Sequence, residues 1–255
     1  MTVVEHLRTL PRKVLRAYGL DVVAYPAQVF PPDFSADDIR TFENVREYTM
    51  TSPERVVALV AAVRYISRSR VPGAFVECGV WRGGSMMAVA RTLIELNDAG
   101  RDLFLFDTFD GMPKPGDQDI DCHGNPGLAR FTEVSRGEDR SAFCCAPLDD
   151  VKRNLSRSGY SGEHTHYVKG KVEVTIPAAA PSEIALLRLD TDWYESTRHE
   201  LAHLFPRVSH GGAVIIDDYG HWQGARRATD EYFATTEKPV LLNRIDYTGR
   251  LILKV

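Results

Sequence analysis

Asp190-Thr191-Asp192 and Asp217-Asp218 put four carboxylates into two short clusters. Each cluster directly follows an apolar run, Ile184-Ala-Leu-Leu-Arg-Leu189 or Ala213-Val-Ile-Ile216. Runs of that kind predict buried strands of a parallel sheet. Side chains at the carboxyl ends of two such strands share the crevice where open α/β sheets bind ligands. Acids gathered there repel one another unless a cation holds them, and a hard divalent ion such as Mg²⁺ takes carboxylate oxygens. The pattern points to a metal site placed where chemistry happens.

A second constellation lies earlier in the chain. Val76-Glu77-Cys78-Gly79-Val80-Trp81-Arg82-Gly83-Gly84-Ser85 reads as a strand, a glycine-rich turn and a helix start. Gly79 permits a tight turn, and Gly83 and Gly84 permit close approach of a ligand. The helix start offers unpaired N–H donors and partial positive charge to a carboxylate or phosphate. The GxxxGG spacing departs from the GxGxxG dinucleotide fingerprint and so disfavours NAD. Asp107 ends the next strand, where an acid accepts hydrogen bonds from ribose hydroxyls. S-adenosylmethionine (SAM) has a ribose for Asp107 and a carboxylate for the turn.

These residues need elements to position them. Thr51-Ser-Pro-Glu54 announces a helix that continues to about Arg70. Strands are expected at Ala74–Glu77, Leu103–Phe106 and Thr165–Lys169, then at the two runs before the acidic clusters. Helices are expected over 84–97, 148–158, 197–208 and 224–234, with strand-like runs at Val240–Asn243 and Leu251–Val255. Repeated β–α–β order predicts an α/β fold with a doubly wound, mostly parallel sheet. Residues 1–50 read as a helical extension or lid, with one or two short amphipathic helices in 1–20, and 51–255 as the main domain. Residues 111–146 are too long for a plain connection and follow Asp107, so they are expected to form a lid.

The chain as a whole sets outer bounds. Its 255 residues are 44% hydrophobic and 26% charged, the profile of a globular protein with a substantial core. The net charge of −4 and the lack of basic runs argue against a nucleic-acid partner. No apolar stretch is long enough to cross a membrane, and the N-terminus does not read as a signal peptide. Cys78, Cys122, Cys144 and Cys145 form no CxxC pair, so reduced thiols, a cytoplasmic location and no zinc site are expected.

Three stretches resemble the macrocin/mycinamicin O-methyltransferase family: Val76-Glu-Cys-Gly-Val-Trp-Arg-Gly-Gly84, Leu187-Arg-Leu-Asp-Thr-Asp-Trp-Tyr-Glu-Ser-Thr197 and Val214-Ile-Ile-Asp-Asp-Tyr219. The likeness covers roughly residues 45–235. It implies a class I, Rossmann-like SAM-methyltransferase fold, usually oligomeric, using SAM and Mg²⁺ to methylate sugar hydroxyls. It further implies that Asp190, Asp217 and Asp218 ligate the metal and that Asp192 is near enough to act as base. Tyr48-Thr49-Met50-Thr51 resembles the family's stretch beside cofactor and substrate, and Gly170-Lys171-Val172 follows the third strand without the acid many methyltransferases place near adenine. The candidate cofactor residues are thus Thr49, Met50, Glu77, Cys78, Gly79, Trp81, Ser85, Asp107, Gly170, Lys171 and Val172.

Methyl transfer is an in-line displacement that needs the acceptor oxygen at about 3–3.5 Å from the methyl carbon. A metal can fix vicinal hydroxyls and acidify one, and Asp192 is the preferred base with His221 as the alternative. The acceptor is expected to be a glycoside of a natural product such as an antibiotic, or a nucleotide sugar. A competing reading takes Asp190-Thr-Asp192 as the DxD motif of a metal-dependent glycosyltransferase, and a third makes the chain a SAM-binding module without catalysis. Trp193 and Tyr194 either stack on a sugar or pack the helix start. Arg226-Arg227 reads as a solvated helix face, or as a phosphate clamp if the acceptor is a nucleotide sugar.

Overall fold

The computed structural model describes residues 30–135, 137 and 141–255. The chain divides into two units, residues 1–34 and 35–255, and the second holds everything that follows. The helices expected in residues 1–20 lie outside the described residues.

Seven strands form one sheet: β1 (Ala74–Cys78), β2 (Leu103–Asp107), β3 (Thr165–Lys169), β4 (Ile184–Leu189), β5 (Val208–Ile216), β6 (Asn243–Arg244) and β7 (Arg250–Leu253). Their order is β3-β2-β1-β4-β5-β7-β6. The first five run parallel, while β7 pairs antiparallel with β5 and with β6. The order reverses between β1 and β4, which opens a ligand crevice at their carboxyl ends. All of β1 and β4 is buried, as expected of strands covered on both faces. Two charges interrupt these apolar runs, and they face each other: Glu77 and Arg188 are register partners.

The helices are α1 (Ala36–Val45), α2 (Pro53–Ser69), α3 (Gly84–Glu95), α4 (Gly127–Glu133), α5 (Leu148–Ser156), α6 (Val172–Thr175), α7 (Tyr194–Leu204) and α8 (Gln223–Ala234). Ser52 caps α2 by accepting from the Arg55 N–H, with Pro53 in the first turn. The expected boundary at residue 50 falls inside the second unit, since Ser35 onward belongs with the sheet and Val45 is fully buried.

Other boundaries also moved. The helix expected over 197–208 occupies Tyr194–Leu204 and passes into a 3-10 turn, Phe205–Arg207. Pro206 lacks the N–H that would continue the helix. The next strand consequently starts at Val208 rather than Ala213. Of the run Val240–Asn243 only Asn243 enters a strand, while Val240 and Leu242 pack on the core outside regular structure.

The 111–146 insertion is seated rather than loose among its described residues. Asp119 is buried and accepts from the N–H groups of Tyr194 (2.8 Å) and Gly116 (2.7 Å). Pro113 C=O accepts from the Trp193 indole at 3.0 Å. Gly127 packs so closely on Trp193 that a Cβ there would sit 3.2 Å from the ring.

Candidate active site

One cleft covers the carboxyl ends of β1, β2, β4 and β5. Its cofactor half is built around the glycine turn. Gly79 has φ +82°, and a side chain there would overlap the Asp190 carbonyl. A Cβ on Gly84 would lie 2.6 Å from the Tyr48 carbonyl, so α3 starts directly against the 48–51 segment. Glycine is thus required at both points by close packing of backbone on backbone, which brings the turn against the Asp190 strand end and the 48–51 segment.

Asp107 holds this turn in place. Its Oδ2 accepts from the N–H groups of Val80 (2.7 Å) and Trp81 (3.1 Å), and its Oδ1 from that of Phe109 (2.7 Å). The carboxylate expected to meet a ribose thus also anchors the turn. Burial raises its pKa, and those hydrogen bonds only partly oppose the shift. Thr49, Met50, Gly79, Trp81, Ser85, Asp107, Gly170, Lys171 and Val172 all line the cleft. Glu77 and Cys78 do not; both are buried in β1, and strand alternation points their side chains into the interior. Glu77 Oε2 is buried without a hydrogen-bond partner.

The other half holds the acids. Asp190, Asp192 and Asp218 each offer an oxygen within 4.8 Å of the others. The Asp192 N–H donates to Asp218 Oδ2 at 3.1 Å, with Asp192 in the left-handed region at φ +64°. Burial, then the neighbouring Asp217 and Asp218 charges, drives the Asp190 pKa well up against the pull of Arg188. Burial and the charges of Asp190 and Asp217 push Asp192 up to about 7. Asp218 also rises well above the usual range through burial and the charges of Asp192 and Asp217. The set is all-oxygen, partly exposed to the cleft and electrostatically overloaded, so it fits a hard divalent cation.

Asp217 stands apart from those three. Its Oδ1 pairs with Arg188 at 2.8 Å and its Oδ2 with Arg55, leaving the side chain 3% exposed. Arg188 further bonds Glu77 Oε1 (2.7 Å), Asp190 Oδ2 (2.7 Å) and Thr51 Oγ1 (2.9 Å). His221 lines the cleft with its Nδ1 3.2 Å from the Tyr247 hydroxyl and 3.6 Å from Cys122 Sγ. Burial lowers its pKa, which favours the neutral ring.

Several candidates lie elsewhere. Trp193 packs edge-to-face on Trp222 at 4.8 Å, and Tyr194 bonds Glu231, so both serve the packing around α7. Arg227 pairs with Glu231 and Arg226 lies over Tyr219, with neither lining the cleft. A histidine pair on α7, His199 and His203, lies with tilted rings 4.4 Å apart and is not part of the acid cluster.

Sequence reasoning missed Arg55, Arg188, Glu200 and the cleft residues Arg130, Phe143, Trp222 and Tyr247. Arg188 did leave a signal, because a charge inside a buried apolar strand requires a buried partner. The others gave none, since they come from segments far apart in the chain.

Residues 36–254 match the family description Macrocin-O-methyltransferase (TylF). The chain is 34% identical over 202 residues to the 8-demethyl-8-(2,3-dimethoxy-alpha-L-rhamnosyl)-tetracenomycin-C 4'-O-methyltransferase of Streptomyces olivaceus, covering 79% of this chain and 74% of the relative. It is 34% identical over 186 residues to the mycinamicin III 3''-O-methyltransferase of Micromonospora griseorubida, covering 72% and 70%. The solved O-methyltransferase NovP superposes with a TM-score of 0.71 at 30% identity, covering 81% of this chain and 82% of that one. The glycosyltransferase and non-catalytic readings fall with these matches. The chain belongs to the macrocin O-methyltransferase family.

Proposed function

We propose that the protein moves the methyl group of SAM to a sugar hydroxyl of a glycosylated natural product or nucleotide sugar, with Mg²⁺ as its metal. The observation that carries the metal reading is the convergence of Asp190, Asp192 and Asp218 within 4.8 Å beside the glycine turn. The sugar acceptor is supported by the tetracenomycin and mycinamicin relatives.

Mg²⁺ is commonly held by one or two carboxylates together with waters and substrate. Asp190 and Asp218 would hold it here, with Asp217 fixed behind them by Arg188 and Arg55 as a buried negative charge. Bound there, the cation would orient and acidify a sugar hydroxyl. Asp192, in the same cluster, would take the hydroxyl proton as the new C–O bond forms and the C–S bond of SAM breaks. His221, turned toward Tyr247, shapes the acceptor side and is the second candidate for the proton. Thr49, Trp81, Asp107 and the Gly170–Val172 turn would seat the cofactor. Met112, Arg130 and Phe143, from the 111–146 insertion, would cover the acceptor as a lid. Four cysteines outside any disulfide support a cytoplasmic location.

The test offers a panel of neutral glycosides and nucleotide sugars with methyl-labelled SAM. Label should reach a sugar oxygen, stop on addition of EDTA and return with Mg²⁺. Transfer indifferent to chelation would remove the metal from the reading. Label on a phenol, with none on any sugar, would remove the acceptor class.

A further inference from the structure

Glu200, on α7, is fully buried and takes no part in the steps of methyl transfer. Its two carboxyl oxygens lie 3.0 and 3.1 Å from the hydroxyl of Thr191. Thr191 is the middle residue of the acidic turn, so whatever fixes it fixes both neighbours.

That turn needs fixing. Asp192 sits in a left-handed conformation that side-chain-bearing residues disfavour. Arg188 ties the Asp190 carboxylate from below. The Asp192 N–H bonds to Asp218, itself one of the acids to be organised. The main-chain ties are Asp190 N–H to Cys78 C=O at 2.8 Å and Trp193 N–H to Thr191 C=O at 2.7 Å. They hold the main chain at Asp190 and at the Thr191 carbonyl, which the Ser196 hydroxyl also meets at 3.4 Å, but neither holds the Thr191 side chain. The Thr191 hydroxyl donates to Glu200, a shorter side-chain tie from the middle of the turn to α7 than the Ser196 contact. Burial also drives the Glu200 carboxyl pKa well above its usual range.

We propose that Glu200 is a positioning residue: anchored in α7, it grips the Thr191 hydroxyl and so sets where the Asp190 and Asp192 carboxylates converge with Asp218. This rests on the proposed cation site, and the experiment separates the two. Outer partners of metal ligands typically change metal affinity by about 10–100-fold when removed.

The measurement is Mn²⁺ binding by the intact protein, titrated by electron paramagnetic resonance, beside SAM affinity by calorimetry. Thr191→Val deletes the hydroxyl at nearly constant volume and should weaken Mn²⁺ binding at least about tenfold, with SAM affinity kept within about twofold. Thr191→Ser should restore Mn²⁺ binding, and Glu200→Gln, which keeps an acceptor oxygen, should stay within about threefold of the native protein. Native Mn²⁺ affinity in Thr191→Val would overturn the role of Glu200 while leaving the cation site standing. Glu200→Gln as weak as Thr191→Val would also overturn it, because charge rather than hydrogen bonding would then matter. A native protein without saturable Mn²⁺ binding would overturn the cation reading itself. Thr191→Val keeps the question decidable if Glu200 variants fail to fold.

Discussion

Replacing Arg188 by methionine removes a guanidinium that is 3% exposed and bonds four side chains. The partners are not left equally stranded. Asp217 keeps Arg55, Asp190 reaches the cleft, and Thr51 retains its place in the 48–51 segment. Glu77 is 1% exposed and loses its one ion-pair partner among the described residues. Breaking a buried pair by removing one member costs about 3–5 kcal/mol. Glu77 can soften that loss by taking a proton, since burial has already pushed its carboxyl up to about 7 against the pull of Arg188.

The sign follows from where the proton sits. A carboxyl raised from 4.5 to about 7 in the folded state holds a proton the unfolded chain has released, so stability falls as pH rises through that window. Without Arg188 the upper edge moves higher, and the variant's deficit widens toward alkaline pH. We expect Arg188→Met to lose about 3 kcal/mol near pH 8 and less near pH 6, read by urea unfolding in EDTA. That is a large part of the ~5–15 kcal/mol that holds an ordinary domain together. A deficit under about 1 kcal/mol at both values, or a larger one near pH 6, would refute the reasoning.

Gly79→Ala places a side chain against the Asp190 carbonyl at a positive φ, so it should abolish SAM binding or soluble expression; calorimetry showing native affinity would contradict the cradle. Asp107→Ala strands the N–H groups of Val80, Trp81 and Phe109, each worth about 1–3 kcal/mol when left buried and unbonded. SAM affinity should drop at least about tenfold while Mn²⁺ binding persists, and a simultaneous loss of both would mean that the cofactor and cation sites are not separable. Asp218→Asn should remove Mn²⁺ binding with SAM affinity kept, whereas unchanged Mn²⁺ binding would move the cation elsewhere.

The sequence alone was enough for the alternation of strands and helices, because apolar period and turn chemistry are local properties. It also placed Asp107, Asp190 and Asp217 at or just beyond strand ends, since each directly follows or closes an apolar run. Helix ends were less legible. The expected start of α7 at Thr197 was three residues late, because the start at Tyr194 is held by Asp119 from 75 residues away. The edge of the sheet was also hidden, because antiparallel pairing of β7 on β5 depends on what the open strand can accept, not on the β7 residues.

The division of labour among the aspartates was decided only in three dimensions. By sequence, Asp217 and Asp218 are adjacent and equivalent. In the fold, neighbouring residues at a strand end point to opposite sides, so one meets two arginines and the other meets Asp192. Arg55 and Thr51 reach that spot across 162 and 137 residues of chain, to Asp217 and Arg188 respectively. No periodicity encodes such a meeting, because it is set by how separate elements pack around the sheet.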